Sequence, residues 1–356
     1  MIADIWVFDD DYQTDILHRN EELNSLSRLL EPATRGERAD DVLIHGPSGV
    51  GKTATARWML RDLRKRAAVS SALVECSGET ANGIIHEAVE KHPTGTVVQR
   101  NSPRDELVSV LEEIVDEPFI IVLDEADVIP DLDVLDDLLS VELLSVIAIT
   151  HSETEWLSRV EREIRPCFRG DSQINYRKYH VPELVDILEP RVEHGLIGDP
   201  VREGQLEWIA DETGGVARWA IKSVLAAAEL AEERRHEYFH EADVRDAFSR
   251  AKMKIRKDNL LSLPVPYQRL YELVRRAGPA SGGEMKDAYL EHQEAIFDGR
   301  SKDPVSWRQA CNYLSKMEDY DLIRMPGETN AKVYEAVDSE LEAPVEFELR
   351  QTAELD

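Results

Sequence analysis

The residues Gly46-Pro47-Ser48-Gly49-Val50-Gly51-Lys52-Thr53 fit the pattern G-x4-G-K-[ST] in full. The chemistry of that spacing is phosphate binding. Glycines let backbone N–H groups face an anion, and a helix opening at the end of the loop adds the positive end of its dipole. Lys52 supplies a point charge for the β- and γ-phosphates of a nucleotide, Thr53 a hydroxyl for Mg²⁺, and Ala54 continues the helix start. Further along, the apolar run Phe119-Ile120-Ile121-Val122-Leu123 ends in Asp124-Glu125. Asp124 is placed to support the Mg²⁺ shell and Glu125 to polarise an attacking water. The alternative is two solvated acids after a strand, but a phosphate loop upstream calls for such a pair.

Those residues need a frame of parallel strands and helices to hold them. Residues 41–44 form a short apolar run entering the loop, and 53–68 read as a helix rich in Ala, Leu, Met and Arg. Further strands are predicted at 72–75, 119–123 and 143–149, with an amphipathic helix at 107–115. Strands alternating with helices argue for a parallel α/β sheet. Beyond about residue 170 the pattern turns helical, with candidates at 203–212, 216–234 and 241–252. Gly214-Gly215 punctuates the first two, and Pro190 is expected to break or kink its helical stretch. A basic connector, KMKIRKDN, covers 252–259. Helices follow at 267–277, 284–296 and 306–318, then extended runs at 322–325 and 332–337 about a turn holding Pro326-Gly327 and Asn330. Three helices closed by a hairpin are the outline of a winged helix. Residues 339–356 are acidic and read as loosely held. The domain reading is therefore a nucleotide-binding base over 1–170, a helical lid over 171–258, a winged helix over 259–340 and an acidic tail over 341–356.

No apolar run approaches the 18 or so residues that span a bilayer. The start, MIADIWVFDDDYQ, has neither the basic opening nor the apolar stretch of a signal peptide. Cys76, Cys167 and Cys311 lie far apart without metal-ligand spacing and read as packing residues in a reducing cytoplasm. Lys and Arg number 42 against 71 Asp and Glu, a net charge of -29 spread along the whole chain. Such an excess fits a salt-loving organism, where strong screening makes surface self-repulsion cheap. Read that way, net charge does not exclude DNA as a partner.

The order of these parts resembles an AAA+ ATPase and, more closely, the archaeal origin-recognition and cell-division-control initiator family. His18-Arg19-Asn20-Glu21 is similar to the family's His-Arg-Glu element ahead of the loop, and Asp124-Glu125-Ala126-Asp127 to its D-E-x-D. GGVARWAIKSVLAAA resembles the lid motif G-D-A-R-x-A and puts the sensor-2 arginine on Arg218. YHVPELVDILEPRVEHGL resembles the lid entry, and the likeness spans about residues 12–338. Where the family carries Asn at the end of the fourth strand, this chain has Thr150 and His151. For the arginine finger it offers Arg159, Arg162 and Arg165, with Arg159-Val160 matching best, and its segment from 76 to 118 is short. The resemblance implies ATP/ADP and Mg²⁺ as cofactors and a slow ATPase acting as a switch. It implies origin duplex DNA, the replicative MCM helicase and further copies of the chain on DNA as partners. It also implies a cytoplasmic, nucleoid-associated location and no membrane.

A winged helix places its third helix in the major groove. On that helix Arg308, Gln309, Asn312 and Lys316 share roughly one face, while Ala310, Leu314 and Met317 are free to face the core. Arg, Asn and Gln each pair bidentately with base edges. Arg324 and Lys332 would flank the wing, and Lys252, Lys254, Arg256 and Lys257 would track phosphates or solvate a linker. The leading expectation is an ATP-dependent initiator that binds origin DNA and helps load the helicase. Two alternatives stand beside it: a nucleotide-binding, DNA-bound regulator with little hydrolysis, and a signalling or transposition-helper ATPase.

Overall fold

A computed structural model describes residues 1–12, 15–95, 97–298, 304–327 and 332–346. The chain divides into two units, Met1–Ala251 and Lys252–Asp356.

In the first unit, α1 (Asn20–Leu30) precedes β1 (Val42–His45), α2 (Lys52–Arg66), β2 (Ser70–Glu75), α3 (Ala81–Lys91) and α4 (Arg104–Ile114). Then come β3 (Phe119–Asp124), α5 (Val134–Ser140), β4 (Leu144–Thr150), α6 (Glu153–Arg159) and β5 (Gln173–Asn175). The five strands pair in parallel, in the order β2-β3-β4-β1-β5. Strands β1, β3 and β4 are almost wholly apolar because both of their faces are covered. Alternation splits their side chains between two cores. Leu43, Ile121, Leu123 and Val146 pack with Ile84 and Leu107 of α3 and α4. Val42, Ile44, Val122 and Ile147 pack with Leu26 of α1 and Met59 of α2.

The helical remainder of this unit is α7 (Val181–Gly195), α8 (Gln205–Glu212), α9 (Ala217–Glu233) and the start of α10 (Glu241–Ser262), whose residues from Lys252 onward belong to the second unit. Helix α7 runs through Pro190 rather than ending there. The proline removes one ladder bond, and buried Leu184 and Leu188 keep the helix seated. Residues 1–8, which sequence grouping assigns to the base, pack instead with the lid: Val7 and Phe8 join its core. A Cβ on Gly195 would lie 2.4 Å from the Phe8 ring, so only glycine admits it. The connector at 252–259 is no loop but part of α10. It carries buried Asn259, whose Nδ2 donates to the Tyr320 carbonyl at 3.1 Å.

The second unit contains α11 (Val265–Ala277), β6 (Ala280–Ser281), α12 (Gly282–Ile296), α13 (Trp307–Asp319), β7 (Ile323–Arg324) and β8 (Val333–Ala336). Its sheet runs β6-β8-β7 with antiparallel pairing, closing the three helices in the arrangement of a winged helix. Ser281 and Glu284 form a capping box at α12, and Ser306 caps α13. The start of the acidic tail is docked, contrary to the sequence expectation. Tyr271 donates its hydroxyl to the carbonyls of Asp338 and Leu341, and the Ala343 N–H donates to buried Glu272 at 2.9 Å. The tail beyond residue 346 and Asn330 of the wing turn lie outside the described residues. Among the described residues, no helix is long and apolar enough to cross a membrane.

Candidate nucleotide site and nucleic-acid interface

Strand β1 delivers the chain to Gly46, where a Cβ would come within 2.2 Å of the Tyr176 carbonyl oxygen. Gly49 and Gly51 take φ of 73° and 90°, the left-handed region that favours glycine. The loop bends back over the N-terminus of α2, with Pro47 and Ser48 exposed and Val50 buried. Lys52 Nζ donates to the carbonyls of Gly46 at 2.7 Å and Pro47 at 2.8 Å, which fixes the ammonium over the loop. Thr53 and Ala54 complete the first turn, with Ala54 exposed.

Thr53 Oγ1 donates to Asp124 Oδ1 at 3.0 Å, so the loop and the end of β3 meet through one hydrogen bond. Burial, reinforced by the charge of Glu125, pushes the Asp124 carboxyl up to about 6, with the Thr53 bond opposing. A hydroxyl and a carboxylate are hard oxygen donors, and the crowded negative charge favours a divalent cation; the pair fits Mg²⁺. Glu125 adopts φ 57°, a left-handed conformation unusual for a side-chain-bearing residue, and leads from the strand into the short turn Ala126–Val128.

The lid reaches this loop. The Arg218 N–H, at the start of α9, donates to the Gly49 carbonyl at 3.1 Å. A Cβ on Gly49 would lie 2.8 Å from Val216 Cγ1 and 3.2 Å from Arg218 Cβ. The Arg218 guanidinium is paired with Asp10, Nε to Oδ2 at 2.8 Å. Sequence reasoning gave no role to Arg19, yet it is almost fully buried and clasps the site. Its Nε donates to the Tyr179 hydroxyl at 3.0 Å, and its Nη2 donates to the carbonyls of Val50 at 3.0 Å and Arg177 at 2.7 Å. Its guanidinium also lies 3.8 Å from the Tyr179 ring centroid. The one available signal was an arginine inside a short motif before an amphipathic helix.

Thr150 ends β4 opposite His45, buried, its hydroxyl without a hydrogen-bond partner among the described residues. His151 Nδ1 lies 2.9 Å from Asp127 Oδ2. Of the three finger candidates, Arg159 donates to the carbonyls of Asp127 and Ile129, and Arg165 donates to that of Val160 at 2.9 Å. Arg162 is exposed.

On α13 the structure leaves Arg308 and Asn312 exposed and Gln309 half-buried. Lys316 departs from the groove face expected of it. It is buried, its Nζ standing 4.1 Å from the Tyr320 ring centroid, so it is not on the groove face. Its position falls at the flank where the core closes over the helix, and its aliphatic stem packs there while the ring meets the charge. Arg324 is exposed but paired with Glu335 on the neighbouring strand at 2.5 Å, which offsets its charge. Cys76 is buried as expected, whereas Cys167 is exposed and Cys311 intermediate.

Residues 16–150 match the AAA ATPase domain, and residues 185–249 match the Cdc6 AAA+ ATPase-type lid domain. ORC1-type DNA replication protein 9 of Halobacterium salinarum is 34% identical over 329 residues, covering 91% of this chain and 90% of that protein. ORC1-type DNA replication protein 1 of the same organism is 28% identical over 316 residues, covering 88% and 100%. Among solved structures, the Aeropyrum pernix ORC1 protein in complex with DNA superposes with a TM-score of 0.68 at 27% identity, covering 94% of this chain and 92% of that one. Cdc6p from Pyrobaculum aerophilum shares the fold at a TM-score of 0.64 and 21% identity, covering 96% and 95%. A phosphate loop joined to paired acids, a lid seated on that loop, and a likeness running the length of both chains lead to one conclusion: the protein belongs to the family of ORC1-type DNA replication proteins.

Proposed function

We propose that this chain is an ATP-dependent replication initiator, which binds origin duplex DNA when loaded with ATP and helps recruit or load the replicative MCM helicase. The observation that carries the reading is the seat of Arg218 on the phosphate loop, backbone to Gly49. A lid joined to the loop in this way takes its position from the nucleotide. Lys52 holds the β- and γ-phosphates, and the loop N–H groups face them. Thr53 and Asp124 would hold Mg²⁺, which when bound neutralises phosphate charge. Glu125 orients a water against the γ-phosphorus and takes its proton, and ADP and phosphate leave. Arg218 reads the γ-phosphate from the lid. Arg162 is the finger of choice for a neighbouring copy on DNA, because backbone carbonyls of this chain hold Arg159 and Arg165. Arg308, Gln309 and Asn312 read base edges in the major groove, and the protein works on the nucleoid in the cytoplasm.

A second reading, a DNA-bound regulator that holds nucleotide and hydrolyses little, draws on the end of β4. There His151 is engaged by Asp127, and Thr150 is the polar group beside the site. Chromatin immunoprecipitation separates the two: a sharp origin peak is expected, and promoter peaks in its place would favour the regulator. The absence of both patterns would point to a signalling or transposition helper.

A further inference from the structure

Three acids in a row, Asp9-Asp10-Asp11, follow directly on the two residues that anchor the N-terminus in the lid. That anchor is firm. The amino group of Met1 pairs with Glu232 at 2.8 Å, and the N–H groups of Ala3 and Asp4 donate to the Gly195 carbonyl. Arg191 donates to the Val7 carbonyl and stands 5.3 Å from the Tyr12 ring centroid, so the segment between them is tethered on both sides. Two carboxylates of this strap then reach different elements. Asp10 Oδ2 meets Arg218 Nε of α9 at 2.8 Å, and Asp11 pairs with Arg57 of α2, the helix that opens with Lys52 and Thr53.

We propose that Asp10 is a positioning residue for nucleotide binding. It is an internal counter-anion that holds the Arg218 guanidinium at the rim of the phosphate loop and gives it up to the γ-phosphate. The proposal rests on the reading of Arg218 as the γ-phosphate contact. The Arg218 backbone is fixed on Gly49 in either case, so only the side chain has to change partner. Asp10 is 47% and Arg218 27% exposed. A pair that open to water is weak and is screened by salt, so it breaks at small cost. A γ-phosphate bears more charge than one carboxylate and offers three oxygens to a guanidinium fork, so the exchange runs toward ATP. ADP has no γ-phosphate to offer, and Arg218 keeps Asp10. The strap thus sets how strongly the site prefers ATP over ADP. Asp11 on Arg57 keeps the released segment beside the loop, ready to recapture Arg218 after hydrolysis.

The test is calorimetric titration of ATP and ADP against wild type, Asp10→Asn, Asp10→Glu, Arg218→Ala and the double variant Asp10→Asn/Arg218→Ala. Asp10→Asn should tighten ATP about two- to five-fold and leave ADP unchanged. Asp10→Glu should return the wild-type value. In the Arg218→Ala background, Asp10→Asn should do nothing. The gain should shrink in molar KCl. If Arg218→Ala weakens ATP but Asp10→Asn does not tighten it, or if Asp10→Asn moves ATP and ADP together, the strap only holds the lid and the proposal is wrong. If Arg218→Ala leaves ATP affinity unchanged, the role of Arg218 falls first and takes the proposal with it.

Discussion

In the proposed mechanism Lys52 binds the phosphates and Glu125 activates the water, and substitution separates their work. Lys52→Ala removes the loop's point charge. The bond it deletes is charge-assisted, about 1.5–3 kcal/mol, so ATP affinity should fall roughly ten- to a hundred-fold by calorimetry. Unchanged affinity would remove Lys52 from the site. Glu125→Gln keeps the shape of the side chain but cannot take a proton. ATP binding should persist while single-turnover hydrolysis drops by about two to four orders of magnitude. Wild-type turnover in that variant would mean that another group activates the water. Both residues stand out as candidates in the sequence because the pattern is contiguous: a loop in eight letters, two acids after one strand. Arg19 was not legible as a clasp. Its acceptors, Val50, Arg177 and Tyr179, are scattered through the sequence, and no local pattern announces a convergence that only the folded chain produces. Lys316 failed in the opposite direction. Its letter says solvent, but a lysine at the margin of a helix's buried face can lay its stem on the core and its charge on a ring.

At the scale of elements, strands buried on both faces announce themselves as apolar runs, which is why β1, β3 and β4 were readable within a residue or so. The basic stretch within α10 was read as a connector because lysines and arginines suit an exposed helical face as well as a loop. What decides the matter is the burial of Asn259 and Leu260, a property of packing. The docked start of the tail has the same origin. Glu272, 1% exposed, accepts from Arg275, from Arg276 and from the Ala343 N–H. Burial raises its carboxyl, but these donors outweigh it and hold the group below its ordinary 4.5. A lowered folded value means that the stabilisation is full above about 4.5 and is lost as pH falls through the folded value. Glu272→Ala should therefore cost about 1.5–3 kcal/mol at pH 7, since the arginines it leaves behind are partly open to water, read as a lower melting temperature of the winged helix. The gap between variant and wild type should narrow on acidification. A gap that is constant with pH would assign the loss to packing alone.

Over the whole molecule the net charge of -29 repels nucleic acid at long range, yet at molar salt the Debye length is about 3 Å and that repulsion is nearly extinguished. The same screening removes most of what phosphate contacts could gain, since affinity falls with a log–log slope of about -0.9 per neutralised phosphate. Under the proposed function, binding in such salt would rest on a few placed base contacts. Replacing Arg308 and Asn312 together with Ala should cost about 1–3 kcal/mol per lost base pairing on specific duplex and leave random duplex nearly unchanged. Replacing Lys254 and Lys257 should weaken both duplexes alike and flatten the salt slope by about one unit per lost phosphate contact. Anisotropy titrations at two KCl concentrations measure both. Equal losses on specific and random duplex in the Arg308/Asn312 variant would make α13 a backbone clamp.

The clasp made by Arg19 has a thermodynamic consequence. One guanidinium touches the phosphate loop at Val50, the chain leaving β5 at Arg177 and the lid entry at Tyr179, and a lysine's single ammonium could not span those acceptors. Two regions sharing such a hub cannot be ordered independently. Whatever free energy an anion spends in stiffening the loop returns as a lid that is harder to open at equilibrium, and whatever grips the lid returns as tighter holding of the anion, by the same amount in both directions.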